Sequence, residues 1–293
     1  MLSLNKKPGA CSALLASLIL SYPVYAAKKD ISFNVDGQKV IGTLETPENI
    51  SKPPVVLMLH GFMGNRHELP VKDTEEGVYS RAARIMAEHG LASLRIDFRG
   101  SGDSDAKWED TTFSSQIEDA NAAVNWIKSN NKVDNSKIGI LGWSQGGLIA
   151  SHVAKSNPNI RSVALWAPVT HPFMTFSNLL GADLILEAAA SDPEKRFSAT
   201  TPWGKNTTLK AKFFKEILTK NPIGAIADYQ GPLLVIRGSQ DNLVINTDAW
   251  MTYHDGVEKL IEFDTDHVWS AFSGPEILDG KMLPETIDWF SKM

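Results

Sequence analysis

The sequence predicts an α/β architecture: a mostly parallel, eight-stranded sheet flanked by helices. Three observations predict it. Eight short runs rich in Val, Ile and Leu read as strands, and several are apolar throughout, as strands buried on both faces are. Segments with helical spacing alternate with the runs, the order that builds parallel sheets. Composition is that of an ordinary globular chain, with 293 residues, 43% hydrophobic and 22% charged.

The elements follow in order. Ile31 to Val35 and Val40 to Leu44 flank Asp36-Gly37, a two-residue turn signal between strands. Val55 to Leu59 is a continuous apolar run after Pro53-Pro54. Arg81 to His89 carries Ala82, Ile85 and Met86 at helical spacing and stops at Gly90. Leu91 to Ile96 reads as a strand, Ser114 to Asn130 as a helix with Ile117, Ala120, Val124 and Ile127 on one stripe, and Lys137 to Leu141 as a strand. Leu148 to Lys155 reads as a helix and Ser162 to Trp166 as a strand. Leu233 to Arg237 and Leu260 to Phe263 are further strands around a helix near Ala249 to His254, and a helix begins at Glu285 after Pro284.

One stretch breaks the rhythm. Between Trp166 and Leu233 the chain is too long for a single crossover helix. It holds Leu179 to Ala190, a polar run from Ser191 to Arg196, and the helix-like Leu209 to Leu218. Residues 169–230 are read as an insertion in one domain of residues 27–293. A lid over the sheet edge is the expected role, since lids are common above sites built at strand ends. Decoration far from any site is the alternative.

Residues 1–26 read as a secretory leader. Lys6 and Lys7 make a positive start, Cys11 to Leu20 an apolar run, and Val24-Tyr25-Ala26 a cleavage site after Ala26. The run is shorter than the roughly 20 residues that span a bilayer. An uncleaved anchor is the alternative, and no later stretch is apolar enough to span a membrane. A secreted or periplasmic location is expected. Cys11 is the one cysteine, so the chain after the leader has no thiol for a disulfide, a nucleophile or a thiolate metal site. Net charge is −5 (29 basic against 34 acidic residues), with no basic cluster, which excludes nucleic acid as the expected partner.

Gly142-Trp143-Ser144-Gln145-Gly146 follows an apolar strand and opens into a helix. G-x-S-x-G in that context places Ser144 on a sharp turn as a candidate nucleophile. A hydroxyl attacks only when a base takes its proton, and histidine titrates near neutrality. His267, in the loop after the last strand, is expected at the same sheet edge as Ser144. His89, His152 and His254 are read as packing or surface residues. The base needs an orienting carboxylate. Asp241 follows its strand through Gly238-Ser239-Gln240 to that edge, whereas Asp248 lies deeper in the next helix, and Asp264 and Asp266 are too local to His267. The developing oxyanion needs donors. The backbone N–H of Gln145 is one candidate, and that of Phe62 in His60-Gly61-Phe62-Met63-Gly64 is the other, with His60 read as a supporting residue.

With these residues in place, the sequence resembles the α/β-hydrolase family across nearly all of the chain after the leader. His60-Gly61-Phe62, the run from Asp97 to Ser104, the turn at Ser144, Gly238-Ser239-Gln240-Asp241 and Asp266-His267 carry the resemblance. The order Ser144, Asp241, His267 is that of the family's triad. Within the family the chain is similar to single-domain serine esterases, including feruloyl (cinnamoyl) esterases with a lid after the sixth strand. The resemblance implies a carboxylic-ester hydrolase that works through an acyl-enzyme on a small-molecule ester, with no cofactor and no metal. An acyl-peptidase or thioesterase of the same fold is an alternative, and a hydrolase-like binding protein without turnover is another. Phe173, Phe176 and Trp203 in the insertion are candidates for a wall that stacks on an aromatic ester, or for the insertion's own core.

Overall fold

The computed structural model describes residues 26–293. Apart from Ala26, the leader expected over residues 1–26 lies outside the described residues, as does Cys11. Strands β1 (Ala26–Val35) and β2 (Gln38–Pro47) form an antiparallel hairpin with Val35 opposite Gln38. Asp36 and Gly37 turn it with φ of +49° and +79°, the left-handed pair that joins twisted strands in two residues. β3 (Val55–Leu59) is buried along its whole length. Helix α1 (Val78–Glu88) precedes β4 (Ala92–Ile96). Helix α2 (Phe113–Ser129) precedes β5 (Ile138–Trp143) and starts at a capping box, in which Thr112 and Ser115 satisfy each other's N–H groups. Helix α3 (Gln145–Ser156) follows β5 after the single residue Ser144 and leads to β6 (Ile160–Trp166).

The insertion departs from its expected outline. The apolar run from Leu179 to Ala190 joins the end of α4 (Pro172–Leu180) to α5 (Ala182–Ala189), with a break at Gly181, whose φ is +94°. Between the polar run ending at Arg196 and the helix expected from Leu209 lies a small antiparallel hairpin, β7 (Arg196–Thr200) and β8 (Asn206–Lys210), which takes the first two residues of that helix. Leu209 therefore pairs with Phe197 in a strand, and helix α6 (Ala211–Thr219) begins two residues later than Leu209. Helix α7 (Pro222–Ala227) starts at Asn221, whose side chain accepts the Gly224 N–H, with Pro222 in the first turn. β9 (Leu233–Gly238), α8 (Ala249–Tyr253), β10 (Glu258–Phe263) and α9 (Leu283–Phe290) complete the expected order.

Eight strands form one sheet in the order β1-β2-β4-β3-β5-β6-β9-β10. Pairing is parallel from β4 to β10 and antiparallel on the β1–β2 side. Helices α2 and α3 pack together on one face, α1 and α9 on the other. The fully buried runs of β3, β4 and β5 lie between these layers, which is why they carry no polar alternation. Strand β10 is the half-exposed edge and keeps Glu258, Lys259 and Glu262, charges that discourage edge pairing with other chains. Parallel pairing sends the carboxyl ends of β3, β5, β6, β9 and β10 to one edge, where loops converge at the point of strand-order reversal. Among the described residues no helix is long and apolar enough to cross a membrane.

Candidate active site

Ser144 sits between β5 and α3 with φ +54° and ψ −117°. A non-glycine residue holds such a conformation only when its surroundings fix it, at a cost of about 1–3 kcal/mol. Here the Ser144 N–H donates to the Trp166 carbonyl at 2.9 Å, and the Ser144 carbonyl accepts from Gly147 and Val169 at 3.0 Å each. The expected need for glycine on both sides is geometric. A Cβ on Gly146 would lie 1.9 Å from the Leu59 carbonyl oxygen, and one on Gly142 would lie 2.4 Å from that of Gly146.

The structure brings Ser144, His267 and Asp241 together. The Ser144 hydroxyl lies 3.1 Å from His267 Nε2, and His267 Nδ1 donates to Asp241 Oδ2 at 2.7 Å. A carboxylate can only accept, so Nδ1 carries the proton and Nε2 is left to accept from the serine. Asp241 is buried, and its other oxygen accepts the N–H groups of Leu243 and Val244 at 2.8 and 3.1 Å. Two loops must meet to make this pair. Gln240 N–H donates to the Thr265 carbonyl at 3.0 Å, and a Cβ on Gly238 would come within 2.3 Å of the same carbonyl. The other carboxylates are engaged elsewhere. Asp248 pairs with Arg237 at 2.8 Å, Asp264 accepts from Gln240 Nε2 at 2.7 Å, and Asp266 caps the N–H groups of Val268 and Ser270. His254 Nε2 donates to the Gly231 carbonyl at 2.9 Å and its Nδ1 accepts the Gly256 N–H, away from the serine.

Neither expected oxyanion donor is spent: among the described residues the N–H groups of Phe62 and Gln145 have no acceptor. The peptide that carries the Phe62 N–H is held through its carbonyl. Gly61 O accepts from Gly64 N–H at 3.1 Å and from His60 Nδ1 at 2.9 Å. His60 Nε2 then accepts the Phe98 N–H at 3.3 Å, which fixes the tautomer. Burial pushes the His60 pKa down to about 4, so the ring stays neutral near pH 7. The loop is tied to the turn after β4 through Asp97, which accepts the Arg66 and Asp103 N–H groups and pairs with the Arg66 guanidinium. On the Gln145 side, the buried amide turns away to α2, with Nε2 donating to Gln116 Oε1 at 2.6 Å. Sequence reasoning missed Gln116, whose glutamine in a helical stripe carries no signal. It also missed Glu68, whose carboxylate accepts the Gly61 N–H at 2.5 Å.

The insertion reaches this centre through rings. Phe176 meets Phe62 edge-on at 5.3 Å between centroids, and Phe213 meets Phe176 and Phe113 at 5.5 and 4.9 Å. Phe176, expected as part of a wall facing the substrate, is fully buried in that cluster and presents no free face. Its position follows from helical spacing, since Pro172, Thr175, Phe176 and Leu179 share the buried stripe of α4. Phe173 lies on the opposite, exposed stripe. Trp203 is in the turn of the β7–β8 hairpin, 50% exposed, and stacks on no ring among the described residues.

Comparison with known proteins agrees with this layout. A family model for the alpha/beta hydrolase fold matches residues 54–201. An uncharacterized 31.7 kDa protein of Escherichia coli is 32% identical over 105 residues, 36% of this chain and 34% of its own. Acylamino-acid-releasing enzyme 2 of Oryza sativa subsp. japonica is 24% identical over 251 residues, 82% of this chain and 30% of its own. The chain thus spans about a third of the length of these curated relatives. Among solved structures, Est1E from Butyrivibrio proteoclasticus with ferulic acid bound superposes with a TM-score of 0.66 at 22% identity, covering 89% of this chain and 96% of its own.

Proposed function

This chain belongs to the α/β-hydrolase fold family, and from that premise we propose that it is a serine hydrolase of carboxylic esters that works through an acyl-enzyme. The observation that carries the reading is the unbroken relay from Ser144 through His267 to Asp241, together with the unspent N–H groups of Phe62 and Gln145. In this reading His267 takes the proton as Ser144 Oγ attacks the ester carbonyl. Asp241 holds the imidazole and balances its charge, and the Phe62 and Gln145 N–H groups receive the oxyanion. His267 then protonates the departing alcohol, and water attacks the acyl-enzyme with His267 as base.

Ring-bearing esters are the proposed substrate class. The fold likeness to Est1E, solved with ferulic acid, supports it, as does the aromatic cluster that joins the insertion to Phe62. The insertion is read as the lid that covers the substrate, on the strength of that junction. A second reading, hydrolysis of an acyl-amino-acid amide by the same groups, is favoured by the similarity to the rice acylamino-acid-releasing enzyme. Export past a removed leader is part of the proposal and rests on residues 1–26 alone. The first residue of the exported protein is then Ala27, and an N-terminus at Met1 contradicts it.

Ser144→Ala tests the central role. It should fold, lose labelling by a fluorophosphonate probe and lose roughly 10⁶-fold in turnover of an aryl ester. Retained labelling or near-parental turnover would remove Ser144 from the mechanism. Comparing kcat/KM on aryl esters with that on acyl-amino-acid amides separates the two substrate readings.

A further inference from the structure

Gly61 is gripped on both sides, and the grip on its own N–H comes from a residue with no part in the scheme above. Glu68 Oε1 accepts that N–H at 2.5 Å, while among the described residues Oε2 has no partner and no Lys or Arg pairs with the carboxylate. A Cβ built on Gly61 would lie 3.5 Å from Glu68 Oε1 and 3.5 Å from Ser144 Cβ, so the carboxylate and the serine flank the same atom.

Two features make Glu68 costly for a merely structural residue. Its φ is +62°, a left-handed backbone that costs a residue with a Cβ about 1–2 kcal/mol and that glycine adopts freely. Withdrawal from water also pushes its carboxyl pKa up to about 7. Yet the surrounding frame holds it in place. Glu68 N–H donates to Asn65 O at 3.0 Å, Tyr79 N–H to His67 O at 3.1 Å, and Val78 N–H to Leu69 O at 2.8 Å. The last two are first-turn donors of α1, which have no partner within their helix. The same helix reaches the end of β3, where the Tyr79 hydroxyl donates to Leu59 O at 2.9 Å.

We propose that Glu68 is a positioning residue for the oxyanion donor Phe62. Glycine has two soft dihedrals and no side chain to restrain them. Glu68 fixes the peptide before Gly61, and His60 with Gly64 fixes the peptide after it. With both planes held, φ and ψ of Gly61 are determined, and the Phe62 N–H is aimed before substrate arrives. Releasing the Gly61 N–H leaves that donor to swing, and a misplacement of about 1 Å costs up to 10²-fold in rate. The carboxyl acts only as an acceptor and transfers no proton, so an amide oxygen can replace it. The role rests on the ester-hydrolase reading above.

Four proteins test it: the parent, Glu68→Ala, Glu68→Gln and Gly64→Ala. In Gly64→Ala the added methyl would lie 2.8 Å from Glu68 Oε2 and push the carboxyl aside without removing it. In Glu68→Ala, kcat on a short aryl ester should fall about 10- to 100-fold with KM nearly unchanged. Affinity for a trifluoromethyl ketone, whose adduct fills the oxyanion site, should fall by the same factor. Glu68→Gln should recover most of both, and Gly64→Ala should shift both in the direction of Glu68→Ala. A folded Glu68→Ala with parental kcat, or a Glu68→Gln as impaired as the alanine, overturns the role. If Glu68→Ala does not fold, a Gly64→Ala with parental kcat and ketone affinity overturns it. Parental turnover that survives Ser144→Ala marks failure of the ester-hydrolase reading itself, and the role of Glu68 falls with it. Loss in Glu68→Ala that Glu68→Gln recovers, with turnover still dependent on Ser144, supports the role of Glu68.

Discussion

His60 works as a neutral ring, and its environment allows nothing else. One ring nitrogen donates to the Gly61 carbonyl while the other accepts the Phe98 N–H, and a second ring proton would leave a buried donor facing a donor. The pKa near 4 has a consequence for stability. Between about pH 6.5 and 4 the unfolded chain binds a proton at this residue and the folded chain does not, so stability falls as pH drops through that window and levels below it. The difference is roughly 3 kcal/mol for one proton. Asp119 and Glu68, whose pKa values burial raises to about 6 and about 7, act with the opposite sign over overlapping ranges and mask the slope in the parent. Urea unfolding of the parent and of His60→Asn at several pH values separates them. The stability gap between the two should narrow by about one proton's worth from pH 6.5 to 4, and a gap independent of pH would contradict the neutral, buried ring.

At the scale of elements, strands and helices that bury a continuous stripe were legible from residue order. The turn at Ser144 was legible because its glycines have one physical cause, backbone contacts too close for a Cβ. The insertion was less legible. Arg196–Thr200 and Asn206–Lys210 alternate weakly and pair only with each other, so tertiary context rather than periodicity decides between strand and helix there. The break at Gly181 divides an apolar stretch with helical character on both sides. The Phe176 ring is fully buried and touches Phe62, Phe113 and Phe213. Phe176→Ala should therefore cost about 3–5 kcal/mol in urea unfolding. It should also lower kcat/KM on both short and bulky esters, because the support of Phe62 loosens. An unchanged unfolding midpoint would mean that the insertion docks by other contacts.

At the scale of the molecule, the sheet order is what assembles the site. Ser144 follows β5, Asp241 follows β9 and His267 follows β10, three strands whose carboxyl ends share an edge with β3 and the Phe62 loop. Chain order and turn chemistry were enough to find those residues. Glu68 and Gln116 were not legible, because their roles depend on which backbone group or amide lies across a loop. That information exists only once α1 and α2 are packed. The central claim is that Ser144 carries the acyl group from ester to water. Its most direct measurement is peptide mass mapping after acid quench during turnover of p-nitrophenyl acetate. The account predicts one acetyl group on the peptide that contains Ser144, and none in Ser144→Ala. Turnover with no acetylated residue, or with the acetyl group on a different side chain, would contradict it.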